Sequence, residues 1–264
     1  MRIDLTSKRA IVTGSTAGIG FAIAEGLAAA GAALVLNGRA DRAVDEAVRR
    51  MGELVPGARV EGVAADLSDA AGVDAFIRRA GDADILVNSL GIFEPKPFAE
   101  ITDDDWERFF QTNVMSGIRL SRYFLPRMIR RDWGRIVFIS SESGVNIPPE
   151  MIHYGMTKTA QLAVSRGLAE LTAGTGVTVN AVLPGPTRSE GVAAFLRKMA
   201  AEQGLSEAKI EAEFISRNRP SSLLRRFATV EEVANMVVYV CSPEASATNG
   251  AALRVDGGVV RSIV

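Results

Sequence analysis

Tyr154 and Lys158 stand four residues apart in His153-Tyr-Gly-Met-Thr-Lys158, a spacing that puts both on one face of a helix. A phenol ionises near pH 10, too high for efficient proton exchange at neutral pH, and an ammonium beside it favours the phenolate. Such a pair could move a proton. It could equally be a surface Tyr–Lys pair on an amphipathic helix. A second signal lies at Thr13-Gly-Ser-Thr-Ala-Gly18-Ile-Gly20, where a glycine-rich turn joins a short apolar run to a helical pattern. Glycines there let the backbone approach a pyrophosphate, and the first amides of the following helix favour its charge. The spacing is G-x-x-x-G-x-G rather than G-x-G-x-x-G, and plain strand-to-helix punctuation would use the same residues.

The elements that must position these residues alternate along the chain. Apolar, β-branched runs at 9–14, 33–38, 60–66, 84–89, 135–141, 177–185 and 252–258 read as strands covered on both faces, as in a parallel sheet. Helical patterns occupy 18–30, 41–54, 102–131, 153–173 and 229–241; Thr102 with Asp105 resembles a capping box at the start of one of them. The alternation predicts a single doubly wound (Rossmann) α/β domain over 1–264, with an about seven-stranded parallel sheet and helices on both faces. Within it the glycine turn sits in the first strand–helix unit, the place that favours nucleotide binding. Residues 189–226 break the rhythm: long, charged and helical in pattern, they follow a strand's C-terminal end and read as a substrate-covering lid.

Composition narrows the classes. Lys plus Arg is 30 against 31 Asp plus Glu, so no basic excess points to nucleic acid. The single cysteine, Cys241 in an apolar setting, excludes an internal disulfide and a cysteine metal cluster, and the single histidine, His153, argues against a metal site. With no signal-peptide pattern at the start and no long apolar run, the expectation is a cytoplasmic protein without a membrane span. The second strand ends Asn37-Gly38-Arg39, where a preference for NAD usually calls for an acid. A guanidinium there suits a 2′-phosphate, so NADP is favoured over NAD, although Asp41 could instead neutralise Arg39.

Ser141 ends the strand before the Tyr154 helix, Asn113 stands in Gln-Thr-Asn-Val, and Pro184-Gly185 closes the next strand. Together with the 13–20 loop and the Tyr154–Lys158 pair, these residues resemble the short-chain dehydrogenase/reductase family from about residue 5 to 260. The resemblance implies an NAD(P)-dependent oxidoreductase that moves a hydride between nicotinamide and a small carbonyl or alcohol. Tyr154 would be the general acid/base, Lys158 would lower its pKa and hold the nicotinamide ribose, and Ser141 would bond the carbonyl oxygen. Asn113 would position a water joining Lys158 to solvent.

The cofactor would meet Gly14, Ser15, Thr16, Gly18, Ile19, Gly20, Asn37, Arg39, Asp66, Leu67, Asn88, Gly91, Pro184, Gly185, Thr187 and Ser189, besides Tyr154 and Lys158. Asp66 could equally be a strand-end cap, and Ile19 a core residue of its helix. Ser89 and Leu90 depart from the family's Asn-Asn-Ala-Gly, which puts local packing in question. Phe93, Glu142, Ser143, Met151, His153 and Arg188 are candidate substrate contacts, a mix that suits a small oxygenated molecule. An acyl-carrier-protein reductase is an alternative, weakened because Asp132 and Thr175 stand where that enzyme's basic patch would be; Arg130 and Arg131 lie close by. A dinucleotide-binding sensor or scaffold is a third reading. The apolar last helix and strand, residues 229–258, suggest a homotetramer by the same resemblance, or serve simply to complete the sheet.

Overall fold

In the computed structural model, which describes residues 3–263, seven parallel strands form one sheet in the order β3-β2-β1-β4-β5-β6-β7. Met1, Arg2 and Val264 of the expected 1–264 domain lie outside the described residues. The strands are β1 Arg9–Val12, β2 Ala33–Gly38, β3 Val60–Ala64, β4 Ile85–Asn88, β5 Gly134–Ile139, β6 Val177–Pro184 and β7 Ala252–Val255. Each begins within one residue of the expected start, but several are shorter, because the turns at their C-terminal ends leave the sheet early.

Alternation along each strand makes two cores. Val12, Leu34, Val87 and Ile139 face one side, under helices α1 (Gly18–Ala29), α2 (Asp41–Leu54) and α9 (Val230–Cys241). Ile11, Val35, Leu86 and Phe138 face the other, under α3 (Ala70–Ala80), α5 (Ser116–Arg130) and α6 (Ile152–Glu170). Both faces are covered, which is why the strands read as continuous apolar runs.

The expected helix over 102–131 is three pieces: α4 (Asp103–Phe110), a wider π-helical turn over Gln111–Met115, and α5. The Thr102–Asp105 capping box forms as read. Helix α3 was absent from the expected set; Asp69 caps it through Gly72 N–H. The 189–226 segment holds α7 (Glu190–Gln203) and α8 (Glu207–Asn218), each opened by a serine cap. Together with Phe227 these helices bury their own cluster of Leu196, Ala200, Ile210 and Ile215. Cys241 is buried and unbridged, its thiol pushed up to about 12 by burial. No helix among the described residues is long and apolar enough to cross a membrane.

Candidate active site

The strand order reverses between β1 and β4, and a cleft of about 410 Å³ lies along the C-terminal ends of the strands there. Its floor is the turn between β1 and α1. Gly14 has φ +60°, a conformation that disfavours any side chain, and a Cβ on Gly20 would lie 2.4 Å from the Gly14 carbonyl oxygen. The turn is held from behind. Ser15 Oγ donates to Val12 O and accepts from Asn37 N–H, while the buried Asn37 amide accepts from Gly14 N–H and donates to Val63 O and Ala65 O. Ser15 and Asn37 therefore act on the loop and do not line the cleft. Helix α1 is preceded by Ala17, which has no side chain able to cap it, and Gly18, Ile19 and Gly20 line the cleft.

The loop after β4 closes the next wall. Thr13 Oγ1 accepts from both Ser89 N–H and Leu90 N–H at 3.0 Å. Leu90 packs against the second core, and its Cα would be 3.1 Å from a Cβ on Gly14, so the departure from Asn-Asn-Ala-Gly fits without a gap. Gly91 lies beside Lys158 and Asn113, where a Cβ would be in van der Waals contact with Lys158 Nζ at 3.4 Å and Asn113 Oδ1 at 3.6 Å.

The reactive wall is built where β5 meets α6. Ser140 Oγ donates to Lys158 O, and Thr159 Oγ1 donates to Gly144 O, which clamps the helix onto the strand's end. Ser141, Tyr154 and Lys158 then converge on the cleft. Burial pushes the Tyr154 phenol up to about 12; the neighbouring Ser141 hydroxyl and Arg219 oppose this and Glu142 adds to it. Burial brings Lys158 down to about 7. Lys158 was expected to lower the phenol's pKa. Here its Nζ lies 5.5 Å from the Tyr154 ring centre and donates to Ile139 O and Gln161 Oε1, so burial dominates both groups.

Asn113 sits in the π-helical turn, a kind of irregularity found often at functional sites. Its side chain is fully used: Oδ1 accepts from Ile92 N–H, and Nδ2 donates to Ile92 O and Thr157 Oγ1. Its carbonyl accepts from Gln161 Nε2 at 2.6 Å. The link between Asn113 and Lys158 therefore runs through Gln161, a buried side chain that the sequence reading missed. Its signal was a polar residue three positions past Lys158, on the face of α6 turned inward.

The other candidates separate by position. Pro184, Gly185, Thr187 and Ser189 line the cleft, and Ser189 also caps α7 through Val192 N–H. Leu67 and Asn88 are buried behind it. Thr16 Cγ2 would lie 2.6 Å from a Cβ on Gly38. Asp66 is exposed, accepts from Ser68 N–H as a local cap, and is lowered chiefly by that bond, with Arg39 a minor contributor. Arg39 is exposed and makes no ion pair among the described residues, with Asp41 or any other acid.

Of the expected substrate contacts, Phe93, Glu142, Ser143 and Met151 line the cleft. His153 does not: it is fully buried against Phe109 and Trp106, one position round the helix from Tyr154. Arg188 does not either, because it pairs with Glu207 and Glu211. In its place Arg219, from the end of α8, enters the cleft and pairs with Glu142.

Residues 14–260 match a family profile described as enoyl-(acyl carrier protein) reductase. The chain is 48% identical over the full length of both proteins to an uncharacterized oxidoreductase, YvrD, of Bacillus subtilis. It is 34% identical to a D-beta-hydroxybutyrate dehydrogenase of Cupriavidus necator, over 97% of this chain and 99% of that one. The L-sorbose reductase of Gluconobacter frateurii, solved with NADPH and L-sorbose, superposes with a TM-score of 0.93 at 32% identity over all of both chains.

Proposed function

The chain belongs to the short-chain dehydrogenase/reductase family and is an NAD(P)-dependent oxidoreductase; from that premise we propose that it reduces the carbonyl of a small hydroxylated molecule with NADPH. The observation that carries the reading is the convergence of Ser141, Tyr154 and Lys158 on one wall of a cleft floored by the glycine turn.

The cleft suits a dinucleotide in detail. The uncapped first turn of α1 offers backbone amides to a pyrophosphate, and Gly14 and Gly20 leave room for it. Gly91, Pro184, Gly185, Thr187 and Ser189 would flank the nicotinamide end. When bound, the nicotinamide would supply the hydride. Arg39, unpaired and at the end of β2, would hold a 2′-phosphate. NADP was bound at low occupancy in a solved protein of Beutenbergia cavernae, 32% identical to this chain and assigned as an NAD(P)-dependent gluconate 5-dehydrogenase, and NADPH was bound in the sorbose reductase. Arg39→Ala is expected to weaken NADPH binding at least tenfold and leave NADH binding unchanged, measured by cofactor fluorescence; equal NADPH affinity would return the choice to NAD.

Tyr154, protonated at neutral pH, gives its proton to the substrate oxygen as the carbonyl carbon is reduced, and the Ser141 hydroxyl, which donates to Glu142 Oε2 in the free site, turns to donate to that oxygen as its charge grows. Lys158 holds the nicotinamide ribose, with Gln161 fixing its ammonium against Asn113. The 189–226 segment covers the substrate as a lid on the single catalytic domain. Tyr154→Phe should lower kcat by at least a hundredfold while cofactor affinity stays within about twofold. Retention of a tenth of wild-type kcat would remove Tyr154 from the role. Cofactor binding with no turnover of any ketone or alcohol would instead favour a sensor.

The acyl-carrier-protein reading is weaker. Asp132 spends its carboxylate on Gly176 N–H, and Arg131, which could have supplied charge there, is held by Asp82 and Ala83 O. We read the protein as cytoplasmic and as a homotetramer joined through its last helix and strand.

A further inference from the structure

Glu142 and Arg219 form a buried ion pair beside the reacting groups. Both side chains line the cleft, 3% and 8% exposed, with Arg219 Nε 2.5 Å from Glu142 Oε1. The other carboxylate oxygen, Oε2, accepts from Ser141 Oγ at 3.0 Å and from Ser143 Oγ. The guanidinium reaches a second acid as well, with Nη1 3.4 Å from Glu150 Oε1. Two carboxylates thus flank the one guanidinium, Glu142 in the cleft lining and Glu150 outside it with its side chain 40% exposed. The remaining cation that lines the cleft among the described residues, Lys158, is bonded to Ile139 O and Gln161 and lies 5.5 Å from the Tyr154 ring centre.

A buried ion pair costs desolvation and is weak evidence for stability in itself. What it does here is set the charge that a substrate meets. A substrate carboxylate entering beside Ser141 would find the guanidinium already neutralised and a surplus negative charge next to it. A hydroxyl meets no such penalty: it can donate to a carboxylate and accept from a guanidinium at once. Like charges brought together away from water are costly, so the buried Glu142 repels an anion placed beside it, and Glu150 keeps Arg219 from offsetting that repulsion.

We propose that Glu142 and Arg219 make this cleft selective for uncharged hydroxy ketones over keto acids of the same size. This deepens the carbonyl-reductase reading and rests on it. It separates the chain from relatives whose named substrates are anions, such as hydroxybutyrate and gluconate.

The test uses the NADPH-loaded enzyme and matched pairs that exchange a carboxylate for a hydroxymethyl group or its equivalent: 4-hydroxy-2-butanone against acetoacetate, hydroxyacetone against pyruvate, and L-sorbose against 5-keto-D-gluconate. The expected result is a kcat/KM at least tenfold higher for the neutral member of any pair that is reduced. Glu142→Gln should narrow that ratio at least tenfold by freeing the guanidinium for an anion. Since that change leaves a buried arginine short of a partner, Glu150→Gln, at a side chain 40% exposed, provides a fold-safe second variant and should narrow the ratio about threefold. Preference for the keto acid in the wild type, or a ratio unmoved in both variants, overturns the proposal. Failure to reduce any of the six compounds overturns the small-carbonyl reading first, and this inference with it.

Discussion

Lys158 shows how burial and hydrogen bonding compete at a single side chain. Removed from water, its ammonium loses hydration and its pKa falls to about 7; the acceptors that keep the charged form competitive are Ile139 O and Gln161 Oε1. Replacing Gln161 with leucine removes one acceptor of the charged form, which moves the pKa further down. Less ammonium then exists at pH 7–8, so kcat in Gln161→Leu is expected to fall about threefold to fivefold there and to recover in part at pH 6, in line with about 1 kcal/mol for one such bond. A pH profile superimposable on wild type would show Gln161 to be packing only. Tyr154 is held protonated by burial, the form in which a general acid must start. His153 teaches the converse. A histidine next to the reactive tyrosine in sequence lies a hundred degrees away around the helix, and the aromatic rings of α4 claim it.

At the scale of elements, the β1–α1 turn and the start of α6 bring the chemistry together, and each depends on close backbone approach. A methyl group at residue 20 would collide with the Gly14 carbonyl oxygen, backbone that has no rotamer to escape into. Gly20→Ala should therefore distort the turn and raise the Kd for NADPH at least tenfold, read by fluorescence titration, while circular dichroism shows the fold intact. Unchanged affinity would mean that the turn does not hold the cofactor. Legibility in the sequence differed between elements for physical reasons. Strands covered on both faces advertise themselves through unbroken apolar runs. The π-helical turn at Gln111–Met115 did not, because one extra residue per turn shifts the side-chain register without changing composition. Helix α3 was missed for a similar reason: its buried stripe is only Val73, Phe76 and Ala80.

For the whole molecule, the β7 edge of the sheet bears on assembly. Strands β3 and β7 each pair with a single neighbour among the described strands, and α9 packs on α1, so the terminal elements complete the sheet and leave its β7 edge unpaired. An unpaired edge offers free backbone groups on which a second copy can pair. Light scattering of the purified protein is expected to give four times the 28.1 kDa chain mass; a monomer at micromolar concentration would count against the tetramer.

Alternating periodicity determined the fold class, and motif spacing named Gly14, Gly18, Gly20, Ser141, Tyr154 and Lys158, all of which line one cleft. Those signals are local: they depend on which residues lie within a few positions of one another. The partners that complete the site are distant in sequence. Arg219 meets Glu142 across 77 residues, and Gln161 meets Asn113 across 48. No periodicity encodes such meetings. They depend on how far α8 reaches over the sheet and how α6 lies against the π-helical turn, and only tertiary packing sets those distances.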